Sequence, residues 1–191
     1  MVAQTNPEDR LLTLEDLELL PDDGQRYELL QGELIESPAP GTQHQRILRR
    51  IARVLDDAVI ASGFGEMFQS PYDARLSPHN IVQPDLLVIG RSQMQLLTEH
   101  RFEGAPELVI EVISPSSELY DRVRKASLYM EAGVREYWIV DPSRKRIVIH
   151  RPRAGVSDVE VIASGYAVSR IIPGFTIEFD ALFAPGPFEL T

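Results

Sequence analysis

Gln83-Pro84-Asp85-Leu86-Leu87-Val88-Ile89 and, further along, Pro106-Glu107-Leu108-Val109-Ile110-Glu111-Val112-Ile113-Ser114-Pro115 decide how this chain folds. Both stretches are rich in Leu, Val and Ile and bounded by Pro or Gly, which is the pattern of a strand buried on both faces. Each also carries an acid, Asp85 in the first and Glu111 in the second. A carboxylate inside such a strand is costly unless something pairs with it. If the two strands are neighbours and antiparallel, both acids reach one shared partner. A divalent cation suits that role, because hard cations prefer carboxylate oxygens and Mg²⁺ bound this way keeps several waters. One such water can attack a phosphorus while the metal stabilises charge on the oxygen. The plainer alternative has Asp85 capping a turn and Glu111 paired with an arginine, since structural ion pairs also occupy such places.

Working outward, the N-terminal side predicts a short helix over 13–20, with Thr13 as its cap and Asp16 near the capping-box position. Pro21-Asp22-Asp23-Gly24 ends it. Tyr27-Glu28-Leu29-Leu30, Gln31-Gly32 and Glu33-Leu34-Ile35-Glu36 then read as a hairpin with a two-residue turn. Its pairing sets Leu30 opposite Glu33 and Glu28 opposite Ile35, so Glu28 and Glu33 share a face. The clearest helix runs over 44–61. Its apolar stripe is Ile47, Ile51, Val54, Leu55, Ala58 and Val59, and Arg46, Arg49, Arg50 and Arg53 form a basic stripe beside it. Gly63 and Gly65 stop it.

Strands are expected around 66–69, 72–76 and 81–89, and again over 108–113, with a short helix and connection over 91–102. A second helix over 116–131 buries Leu119, Val123, Ala126 and Met130 and ends at Gly133. Tyr137-Trp138-Ile139-Val140 is a strand stopped by Asp141-Pro142. Segments 146–151, 158–162 and 176–179 read as an antiparallel tail. The expectation is an α/β protein in which residues 1–26 are a helix and lead-in. Residues 27–191 form a single domain, a central mixed sheet flanked by helices with an N-terminal hairpin and C-terminal antiparallel strands.

The 191 residues suffice for one domain with a full core. Cysteine is absent, which excludes disulfides and thiolate metal sites and makes a reducing cytoplasm the default expectation. No apolar run is long enough to cross a membrane as a helix, and the first ten residues lack a signal-peptide pattern. The net charge of −10 argues against a molecule-wide basic surface for nucleic acid, although a local patch remains compatible with it. Phosphate-cradling glycine loops, HExxH and nucleophile-elbow serines are all missing.

Several residues have two readings. Asp121, Lys125 and Tyr129 recur at helical spacing on a side distinct from the apolar stripe. Lys125 can orient a water or steady phosphate charge if that side overlooks the acids, or it is a solvated lysine paired with Asp121. Glu28 can complete the acidic site or face solvent. His44, at a helix start, can bind a phosphate or a carboxylate, or serve as a local hydrogen-bonder. The arginine stripe grips a phosphate backbone or is a wet helix face balanced by Asp56 and Asp57. Tyr137 and Trp138 read as core rather than as a base-stacking platform.

The order helix, strands, Pro-Asp strand, Glu strand, helix, strand resembles the restriction-endonuclease-like PD-(D/E)XK core. More closely, the chain resembles the Uma family of bacterial endonucleases. The likeness spans about 27–183 and rests on Tyr27-Glu28-Leu29-Leu30-Gln31-Gly32-Glu33, His44 opening the first long helix, and Gln83-Pro84-Asp85. It rests equally on 106–116, on Lys125 with Tyr129, and on Gly133-Val134-Arg135-Glu136-Tyr137-Trp138-Ile139-Val140-Asp141-Pro142.

The resemblance implies a metal-dependent endonuclease acting on DNA, with RNA left open, and Mg²⁺ (or Mn²⁺) held by Asp85 and Glu111. The catalytic set would be Asp85, Glu111 and Lys125, supported by Glu28 and His44. The motif lysine would stand at position 113, which is Ile113 here, and Lys125 takes its place. A homodimer is expected, since nucleases of this fold often pair to cut both strands. Two rivals stand beside this reading. One is an inactive nucleic-acid-binding relative. The other is an interaction module whose C-terminal strands, including Ile147-Val148-Ile149, dimerise by edge pairing or face packing.

Overall fold

The stretch 81–89, which reads as one strand, divides at Gln83-Pro84-Asp85 into β5 (Asn80–Val82) and β6 (Leu86–Gly90), and the two belong to different sheets. Pro84 has no amide hydrogen to give to a ladder. The Asp85 carboxylate instead accepts the amide of Val112 at 2.8 Å. The chain therefore leaves one sheet and enters the next around Pro84 and Asp85. The structure is a computed structural model that describes residues 10–21, 23–37, 39–113, 119–153 and 156–186.

The larger sheet has six strands, in the order β11 (Val156–Ile162), β10 (Arg146–Arg153), β9 (Glu136–Asp141), β8 (Leu108–Val112), β6 and β3 (Gly65–Gln69). Only β8 and β9 run parallel; β6 and β8 are antiparallel neighbours, as the acid-bearing stretches require. The second sheet orders β2 (Glu33–Ser37), β1 (Arg26–Leu30), β5, β4 (Asp73–Ser77) and β7 (Arg101–Phe102). A small hairpin joins β12 (Tyr166–Val168) to β13 (Thr176–Glu178). Four α-helices, α1 (Leu14–Glu18), α2 (Thr42–Ser62), α3 (Leu119–Ala132) and α4 (Phe179–Phe183), and a short 3-10 helix (Arg91–Leu96) complete the described elements.

The period of two along each strand sorts the large sheet's side chains into two cores. Leu86, Val88, Leu108, Ile110, Val112, Trp138 and Val140 pack under α2 and the C-terminal hairpin. Leu87, Ile89, Val109, Ile113, Tyr137 and Ile139 face the second sheet and α3. Glu111 takes the parity of Val109 and Ile113, so its carboxylate points into the space between the large sheet, α3 and the N-terminal hairpin.

Many local expectations hold. Thr13 and Asp16 form the capping box of α1. The hairpin register is the expected one, with Leu30 opposite Glu33 and Glu28 opposite Ile35. Gly63 closes α2 in the left-handed conformation, with φ 62°.

Others are corrected. Val123 is not part of the buried stripe of α3: it is 62% exposed, while Ala126, Leu128 and Tyr129 are buried. The helix is rolled so that Lys125 and Tyr129 turn toward Glu111. The side chains of Leu119 and Asp121 and residues 114–116 lie outside the described ones. The C-terminal strands are antiparallel as expected: β10 and β11 extend the large sheet from β9, and β13 pairs with β12 in a sheet of its own. Ile147-Val148-Ile149 therefore sits between two strands and offers no free edge for dimerisation. The arginine stripe of α2 is not simply a wet face, since Arg50 donates to the carbonyls of Leu182 and Ala184, each at 2.7 Å.

Candidate active site

Five separate elements bring charged side chains close together. The β1–β2 hairpin supplies Glu28, the first turn of α2 supplies His44, the entry to β6 supplies Asp85, and β8 and α3 supply Glu111 and Lys125. The register Leu86↔Ile110, carried one residue further, sets Asp85 opposite Glu111. This is the antiparallel juxtaposition on which the pairing of the two acids depends.

Lys125 is the hub. Its ammonium lies 3.0 Å from Glu111 Oε1 and 3.0 Å and 2.8 Å from Oε1 and Oε2 of Glu28. Its side chain is only 15% exposed, and those of Glu28 and Glu111 are 3% and 12% exposed. Burial alone would lower the lysine's pKa, but the neighbouring carboxylates of Glu111 and Glu28 outweigh it and hold the ammonium well above the ordinary lysine value. Lys125 is therefore a fixed cation and hydrogen-bond donor at neutral pH, not a proton acceptor. The solvated reading of Lys125 is excluded.

Glu111 is gripped on both oxygens. Oε1 accepts Lys125 and the Tyr129 hydroxyl at 2.9 Å, and Oε2 accepts the Tyr137 hydroxyl at 3.0 Å. Burial raises its pKa; Lys125 opposes this, and the charges of Glu28 and Asp85 add to it. Both tyrosines are themselves pushed well above the usual phenol value, first by burial and then by the Glu111 charge, so they remain donors.

Asp85 Oδ2 receives the Val112 amide and meets His44 Nε2 at 3.0 Å. The other ring nitrogen of His44, Nδ1, is buried with no partner among the described residues. Glu28 is anchored by the Gln83 amide at 2.8 Å and the Ser37 hydroxyl at 3.3 Å. The Gln83 side chain reaches on to Asp73 at 2.9 Å. Burial raises the Asp73 carboxyl, the Gln83 bond opposes this, and the Glu28 charge adds to it.

The five residues singled out from sequence thus form two groups, Glu28–Lys125–Glu111 and His44–Asp85, coupled through the Asp85 charge acting on Glu111. Tyr137 was legible only as core, and nothing in its own neighbourhood marks it otherwise. The parallel register Val109↔Tyr137 gives it the face of Glu111, and that register is tertiary information. Tyr129, one helical turn beyond Lys125, carries the one local signal.

The donor set can be tested for a metal. Among the described residues no three of His, Asp and Glu form a ready-made cage. Mg²⁺, however, is usually bound by one or two carboxylates and several waters rather than by an all-protein cage. Two carboxylates, Glu28 and Glu111, share one ammonium, and the charges of Glu28 and Asp85 disfavour ionisation of Glu111. Such an excess of hard oxygen donors fits a divalent cation.

Comparison with known proteins bears on this arrangement. The sequence profile of the Uma2 family, described as "Putative restriction endonuclease", matches residues 14–180. A crystal structure from Anabaena variabilis ATCC 29413, described as "a putative nuclease belonging to DUF820", superposes with a TM-score of 0.79 at 21% sequence identity. The match covers 90% of this chain and 97% of that one, and it shows that the two share a fold. No curated protein matches the chain. No helix among the described residues is long and apolar enough to cross a membrane.

Proposed function

We propose, from the premise that the chain belongs to the Uma2 restriction-endonuclease family, that it is a metal-dependent endonuclease hydrolysing phosphodiester bonds of DNA. The observation that carries this reading is the 3.0 Å contact between Lys125 Nζ and Glu111 Oε1. Position 113 holds isoleucine where the nuclease motif has lysine, and that substitution is the main argument for an inactive relative. A lysine from the next helix, already bonded to the motif acid, removes the force of that argument.

Asp85 and Glu111 would hold the cation, which when bound supplies charge neutralisation and an acidified water. The chain's own residues would do the rest. Glu28 and Glu111 together hold the Lys125 ammonium. Lys125, permanently charged, orients the attacking water and stabilises charge building on the phosphate. Tyr129 and Tyr137 fix the Glu111 carboxylate. His44 steadies Asp85 through Nε2.

The test is nicking of supercoiled plasmid DNA by the purified chain with Mg²⁺. Cleavage is expected with the metal and not with chelator. It should fall by at least about a hundredfold in Lys125→Met, the scale of losing one preorganised donor. Full activity in Lys125→Met, or no cleavage of any DNA form by the wild type, would overturn the proposal.

A further inference from the structure

We propose that the groove between α2 and the β13–α4 segment seats the sugar-phosphate backbone of DNA as a second contact point, outside the acidic site. This rests on the nuclease reading for the identity of the ligand, but it is carried by different residues. The groove has a volume of about 760 Å³, with Arg49, Arg50 and Arg53 on one wall and Ile177, Glu178 and Leu182 among the residues of the other.

Three features mark it. First, its positive charge is in excess, with three arginines against one acid among the lining residues. Arg49 and Arg53 are exposed, stand one helical turn apart and make no ion pair among the described residues. Arg50 is fastened to the carbonyls of Leu182 and Ala184, neutral acceptors that fix the guanidinium without cancelling its charge. Glu178 is the one acid among the lining residues. In a chain with a net charge of −10, this is a local reversal of sign.

Second, the charge is concentrated in one half of α2. Asp56 and Asp57 follow on the same helix, so the outer side of α2 is basic in its first half and acidic beyond. The basic half is the one nearer His44 and Asp85. At 1.5 Å rise and 3.6 residues per turn, Arg49 and Arg53 lie roughly 7.5 and 13.5 Å along the helix axis from His44 and about 140° and 180° around it, so the groove is a contact on the side of α2 turned away from the acids. Third, guanidinium groups present planar forks that match phosphate oxygens, and contacts of this kind fix a duplex in position without reading its sequence.

The experiment is fluorescence anisotropy of a labelled DNA duplex with the full chain, in chelator to prevent cleavage, over a series of salt concentrations. Arg49→Gln/Arg53→Gln is compared with wild type and with Arg135→Gln/Lys145→Gln, which removes the same charge outside the groove. The groove variant should bind at least about tenfold more weakly, and its plot of log affinity against log salt should be shallower by about two, one for each lost phosphate contact. The second pair should stay near wild type. Equal losses and equal slopes for the two variants would overturn the groove, as would a wild type that does not bind the duplex.

Titration of wild type and Asp85→Ala/Glu111→Ala with Mg²⁺ separates the two readings. Metal binding lost in that variant, together with equal salt slopes, removes the groove and leaves the nuclease. Different slopes without metal binding leave a DNA-binding groove and remove the nuclease.

Discussion

Lys125 is where residue-level energetics are most exposed to test. A buried, hydrogen-bonded ion cluster adds little over a well-packed apolar alternative, yet removing one member leaves the others uncompensated at a cost of about 3–5 kcal/mol. Lys125→Met should therefore lower the urea midpoint substantially, and adding Glu111→Gln should recover part of the loss, because one stranded charge then disappears. An unchanged midpoint in the single variant would mean that the cluster is not formed.

Asp73 gives a pH signature. Burial raises its native pKa above the ordinary 3.8, so the folded protein binds that proton more tightly than the unfolded chain does. Its contribution to stability is complete below about pH 3.8 and is lost as pH rises through the native value. Asp73→Asn keeps an acceptor for the Gln83 side chain. It should raise the Tm at pH 7 and leave it near wild type at pH 3, and a lower Tm at pH 7 would contradict this. At this scale the sequence announced Asp85 and Glu111, because acids are rare in fully apolar strands. It could not announce Tyr137, whose hydroxyl matters only because of the strand beside it.

Elements were legible where one local rule decided them. The Gln31-Gly32 hairpin took its register from turn length, and α2 took its face from a strong apolar stripe. They were not legible where tertiary contacts decided. Pro84 and Asp85 break what composition alone presents as one strand, and the roll of α3 is set by Lys125 and Tyr129 reaching Glu111 rather than by Val123 seeking the core.

Gly65, opening β3, shows a further constraint that residue type only hints at. A β-carbon there would stand 1.9 Å from the carbonyl oxygen of Ile89 on the paired strand β6. Backbone must shift to admit it, and overpacking of that kind typically costs 1–3 kcal/mol, so Gly65→Ala should lose about that much in chemical denaturation. Wild-type stability in Gly65→Ala would show that the close pairing at this sheet edge is not real.

For the whole molecule, the large sheet lies between α2 on one side and α3 with the second sheet on the other. The site forms where β8, the entry to β6, the hairpin and both long helices converge. The order of elements and the family pattern were enough to anticipate a restriction-endonuclease-like core. The division of strands between two sheets was not, because it depends on contacts between segments far apart in the chain. Glu28 illustrates the difference: its own hairpin leaves its face undecided, and only the packing of the second sheet against α3 brings it to Lys125.

The central claim is that this convergence makes a working cation site from Asp85 and Glu111. Calorimetric titration of the metal-free protein with Mg²⁺ and with Mn²⁺, beside Asp85→Ala/Glu111→Ala, tests it most directly. The account predicts binding of both ions to the wild type and loss of that binding in the double variant. A wild type that binds neither ion, or a double variant that binds as well as the wild type, would contradict it.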